Sequence, residues 1–129
     1  MRQMAERIAF PLTFYLKQEG DQWAALSPEV AVSSCGDTLD EARQALKDAV
    51  ETYVVYMIGA GRIAEIPRQL SQEQVLDFLT DPPGRHEVEE HVLLVSLRPV
   101  AAESHAAVSE VFFVQSMLPA HAVQGLMRT

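Results

Sequence analysis

The chain has 129 residues, 48% hydrophobic and 22% charged, with 18 acidic against 10 basic side chains and a net charge of −8. That length suits one domain with its own core, and that composition excludes a disordered chain. The acid excess repels phosphate backbones and attracts basic proteins, which sets nucleic-acid binding behind protein binding.

Residues 8–17, IAFPLTFYLK, alternate: Ile8, Phe10, Leu12, Phe14 and Leu16 share one side, and Ala9, Pro11, Thr13, Tyr15 and Lys17 the other. Period two predicts a strand with one apolar face. Pro11 has no amide to give a ladder, so it belongs at an edge, at a bulge or where pairing starts. Gly20 and Asp21 form a hairpin turn into a second strand, QWAALS, and after Pro28 a third extended piece, VAVSSC, sets Val30 and Val32 on one face.

Thr38 followed by Glu41 has the spacing of a capping box, and Gly36 ahead of it supplies a backbone conformation that other residues avoid. From there Leu39, Ala42, Leu46, Ala49, Val50, Tyr53 and Met57 recur mostly at steps of three and four, predicting a helix over 38–58 with one apolar stripe. Asp40, Arg43, Gln44, Lys47, Asp48 and Glu51 lie on its opposite side, and Gly59 and Gly61 stop it. A sheet with one apolar face needs a cover, so the expected fold is α+β: an antiparallel sheet of three or more strands under one long helix.

A shorter helix follows IPRQ, started by the capping box of Ser71 and Gln74, given apolar contacts by Val75, Leu76, Phe78 and Leu79, and ended by DPPGR. HVLLVSLR, 91–98, is a nearly continuous apolar run, predicting a buried strand. EVFFVQSM, 110–117, reads as extended, while VAAESHAAVSE before it fits helix or loop. The whole chain, 1–129, reads as a single domain, with 67–129 adding a short helix and strands that serve as an oligomerisation extension.

Little in the chain points to catalysis. His86 and His91 in HEVEEH are five apart, which on a strand means opposite faces and not a zinc pair, and solvated or interface histidines are expected there. Cys35 is the lone cysteine, which excludes an intrachain disulfide and fits a reducing cytoplasm; it reads as a partly buried thiol in a turn. Asp21, Glu29, Asp37 and Glu41 are the carboxylates that a magnesium-dependent nuclease would use, yet a hairpin turn, an exposed loop and a helix start account for them. Trp23 reads as a core or interface anchor. No metal and no cofactor is expected. The opening MRQMAERIAF lacks the apolar run of a signal peptide, and no segment approaches the ~18 apolar residues of a membrane span, so a soluble cytoplasmic protein is expected.

Strand, GDQW hairpin, ALSPEV loop, short strand and GDTLDEARQALKDAVETYV, in that order, resemble the amino-terminal domain of HicB-like antitoxins over residues 8 to about 66. Trp23, Ser27, Pro28, Gly36, Asp37, Thr38, Glu41 and Ala42 carry the resemblance. It implies a partial ribonuclease H-like β-β-β-α-β fold without nuclease activity. It also implies a homo-oligomer that neutralises a small basic RNA-cleaving toxin, with Trp23 and the loop Ser27, Pro28 and Glu29 as partner-binding candidates. Antitoxins of this kind usually add a basic DNA-binding module, but residues 99–129 hold one arginine, Arg128, no lysine, and the acids Glu103 and Glu110, so operator binding by this tail is not expected. The alternatives are a repressor of its own operon and a residual metal-dependent nuclease.

Overall fold

The computed structural model describes residues 6–81, 83–99 and 106–115. Strands β1 (Glu6–Glu19), β2 (Gln22–Ser27), β3 (Val32–Gly36), β4 (His86–Pro99) and β5 (Ala106–Gln115) form one five-stranded sheet in the order β3-β2-β1-β4-β5. Every pairing is antiparallel. Helix α1 (Leu39–Gly59) follows β3, and a short 3-10 turn (Ile63–Glu65) and helix α2 (Gln72–Thr80) lead from it to β4. The α+β class with one long helix on an antiparallel sheet is as the patterning predicts.

The alternation in β1 sets which side α1 covers. Leu12, Phe14 and Leu16 are buried together with Ala25 of β2 and Leu93, Val95 and Leu97 of β4, beneath Ala42, Leu46, Val50, Val54, Met57 and Ile58 of α1. Each of the Val, Leu, Ile, Phe and Met side chains among them contributes about 1.5–3 kcal/mol by leaving water. Val54 and Ile58 widen the stripe beyond the expected residues, because a helix lying on a sheet buries more than a two-residue seam.

The helix ends show local chemistry at work. Thr38 is the N-cap and its hydroxyl accepts from the Glu41 amide at 3.1 Å. The Glu41 carboxylate returns to the amide of Asp37, not to that of the cap residue itself, so the expected box is closed one residue earlier. At the other end the Gly61 amide bonds the Ile58 carbonyl and the Arg62 amide bonds the Met57 carbonyl, the paired bonds of a Schellman stop, with Gly61 at φ 73°. Gly36 is needed for a reason other than the expected one. Its backbone is ordinary, but a Cβ there would stand 2.5 Å from the Ala42 amide nitrogen, so strand end and helix start are in contact.

Other differences from the sequence reading have similarly local causes. Val30 is buried but precedes β3 in the turn, because Ala31 at φ 54° breaks the extended run. Cys35 lies within β3 and is exposed, not partly buried in a turn. His86 and His91 do fall on opposite faces, yet His91 is a core residue, 1% exposed, and not a solvated one. The ambiguous run before residue 110 is strand from Ala106 onward, with a register shift opposite Ser96 and Leu97. His105, His121, Glu103, Arg128 and the end of the extended run at Ser116 and Met117 lie outside the described residues.

Candidate functional site

The loop Ser27, Pro28 and Glu29 closes the gap where β2 ends and β1 continues. β2 pairs β1 only from Tyr15 onward, so the amide of Thr13 points toward a neighbour that is no longer a strand. Glu29 takes that place. One carboxylate oxygen accepts from the Thr13 amide at 2.9 Å and the other from the Thr13 hydroxyl at 2.8 Å, while the Ser27 hydroxyl stands at 3.5 Å. The Glu29 carbonyl accepts from Arg68 and the Pro28 carbonyl from Leu70, which ties the segment after α1 to this loop. Glu29 is therefore not an exposed loop residue, as its sequence context suggests, but a half-buried carboxylate standing in for backbone acceptors.

Beside this loop α2 lies across the sheet face opposite α1. Between them runs a groove of about 420 Å³ lined by Tyr15, Pro28, Glu29, Leu70, Val75, Leu76 and Leu79 among others. Leu76 is 59% exposed on its rim. Glu73 and Asp77 are exposed on the same helix, which carries no basic residue. The rest of α2 docks on Lys17, whose alternation in the sequence assigned it to the polar side. Its side chain is fully buried: Nζ donates to the Phe78 carbonyl, lies 4.9 Å from the centre of the Phe78 ring, and pairs with Glu19 at 3.0 Å. An apolar stem under a helix with a satisfied ammonium tip explains how a lysine is accommodated there.

On the α1 side, a polar group penetrates the core that the sequence reading did not anticipate. Arg43, assigned to the outer side of the helix, reaches down to β4, where Nε donates to Glu89 Oε1 at 2.8 Å and Nη2 to Oε2 at 2.5 Å. The same guanidinium meets Asp40 at 2.5 Å. His91 Nε2 stands 2.9 Å from Glu89 Oε1; a carboxylate only accepts, so Nε2 carries the proton. The ring packs on Phe14 at 4.2 Å between centroids and edge-on to Phe113. Burial raises the Glu89 pKa and is the largest single influence, but the bonds from Arg43 and His91, with the charges behind them, together outweigh it and hold the carboxyl at about 2. The Glu89 bonds likewise raise the Arg43 pKa against its desolvation. The group clamps α1 to β4. The pairing was not legible because helix and strand partners are 46 residues apart.

The sequence-derived candidates separate into three places. Pro28 and Glu29 line the groove, Pro28 being buried, while Ser27 is fully buried behind them with its hydroxyl toward Glu29. Trp23 is elsewhere, half-buried against the core beneath α1 and paired with Gly36. Gly36, Asp37, Thr38, Glu41 and Ala42 form the start of α1, where Ala42 is fully buried. The four candidate carboxylates are not one cluster: Asp21 is in the exposed hairpin turn, the Glu41 carboxylate accepts from the Asp37 backbone amide at the helix start, and Glu29 holds Thr13. Among the described residues no group of three or more His, Cys, Asp or Glu side chains is placed to hold a metal ion, and no helix is long and apolar enough to cross a membrane. Comparison with family models, curated proteins and solved structures finds no match to this chain.

Proposed function

We propose that this protein is a non-catalytic interaction module of the HicB-like kind, built on a partial ribonuclease H-like unit, that self-associates in the cytoplasm and neutralises a small basic RNA-cleaving protein. The observation that carries the reading is the groove beside α2: an apolar trough with Leu76 on its rim, on a helix that also exposes Glu73 and Asp77 and carries no basic side chain. The exposed acids of α2 steer a basic partner toward the helix, while the apolar floor supplies most of the affinity. The net charge of −8 acts in the same direction. The helix-start residues Gly36, Thr38, Glu41 and Ala42 each have a structural role that accounts for their place in the chain.

The test is co-purification from native cells followed by mass spectrometry, with two controls. A small basic protein is expected to be retained at low salt, to be retained less at roughly 0.5 M salt where surface charges are screened, and to be lost when Leu76→Lys is introduced. Failure to retain any basic protein, or retention indifferent to both salt and Leu76→Lys, rejects the proposal.

A further inference from the structure

The described residues cover the sheet face opposite α1 only in part. α2 closes the end around Tyr15 and Lys17, but the register sets out a bare block beyond it: Ala9, Leu94 and Phe112 in one row, Pro11, Val92 and Val114 in the next. Phe112 and Val114 are each 42% exposed, and Ala9 and Pro11 are exposed. The row at one end is Arg7, Ser96 and Glu110, with a cation on β1 and an anion on β5.

We infer that this block is a self-association surface, occupied by the same block of a second copy packed face to face. This rests on the self-association in the reading above and not on its basic partner. The block is self-complementary. A two-fold axis lying between the two sheets and running along β4 sets β1 of one copy over β5 of the other. Arg7 then faces Glu110 of the other copy, twice by symmetry. Phe112 faces Ala9 and Val114 faces Pro11, large against small, while Leu94 and Val92 meet their own mates near the axis. Two sheets pack in this way about 10 Å apart with their strands roughly aligned. Glu90, one row further along and opposite Thr13, comes near its own mate and marks the limit of the contact.

The block spans three strands and a few rows, which at ~4.8 Å between strands and ~6.8 Å between same-face residues is a footprint on the order of 300 Å² per copy. That is below the ~800 Å² per partner of a stable complex, so the dimer exchanges with monomer. Sedimentation equilibrium of the full chain from about 5 to 500 μM tests this, with folding of each variant confirmed by circular dichroism. The weight-average mass is expected to rise from the 14.3 kDa of one chain toward twice that. Phe112→Asp is expected to abolish the rise, Arg7→Glu and Glu110→Arg each to weaken association about tenfold, and the two together to restore it. A chain that stays monomeric throughout overturns both this inference and the self-association in the reading above. Association that survives Phe112→Asp, or a double swap that does not restore it, overturns the assigned surface alone.

Discussion

Glu89→Gln removes the negative charge at the centre of the clamp between α1 and β4 and turns one of its two acceptor oxygens into an NH2 donor, while keeping its shape. In the folded protein the carboxyl sits at about 2 against a usual 4.5. At ~1.36 kcal/mol per pH unit that gap is about 3.4 kcal/mol, and solvent screening at a side chain still 16% exposed brings the expected contribution nearer 2 kcal/mol. The sign follows from linkage: the folded state binds the proton less readily than the unfolded chain, so the stabilisation is complete above about pH 4.5 and is lost as pH falls toward 2. Urea unfolding of both proteins at a series of pH values reads this directly. The expected difference is about 2 kcal/mol at pH 7, shrinking toward zero near pH 2 because the native carboxyl is then also protonated. Against a total of roughly 5–15 kcal/mol such a loss is easily measured. A difference that is the same at pH 7 and pH 3, or smaller than about 0.5 kcal/mol at neutral pH, refutes the reasoning.

Two further substitutions test neighbouring points. Gly36→Ala drives a methyl group into the Ala42 backbone, which cannot give way as a flexible side chain would, and is expected to cost about 2 kcal/mol or more; Gly59→Ala meets nothing within 4 Å and should be neutral or gain up to ~1 kcal/mol, both read by thermal unfolding. Glu29→Ala leaves the Thr13 amide unpaired, at a cost of about 1–3 kcal/mol, and hydrogen exchange should show that amide losing its protection while the β1–β4 amides keep theirs.

The elements that depend on near neighbours were legible in the sequence. Alternation from Ile8 to Leu16 fixed the buried side of β1, the Thr38 and Ser71 caps located both helix starts, and Gly61 marked where α1 stops. What escaped were contacts between distant segments. Lys17 reads as polar because nothing near it announces that Phe78 will cover it. Arg43 and Glu89 are ordinary charged residues until helix and strand are superposed, and Glu29 reads as a loop acid until Thr13 arrives beside it. Of the candidate site, the chain revealed the loop at Ser27 to Glu29 but not the groove, since the groove exists only where α2 returns over the sheet.

The position of β1 at the middle of the sheet has a consequence for how the protein is made. β1 is synthesised before the other described strands, yet one of its two neighbours, β4, joins Leu97 to Glu6 only after β2, β3, α1 and α2 have been made. The amino-terminal hairpin and α1 can assemble locally, but Phe10 and Leu12 lack their β4 partners until that late pairing, and loop closure over such a separation is slow. A growing or truncated chain that ends before His86 therefore presents an unfinished sheet border to the cell, which makes it the species that chaperones and proteases meet first.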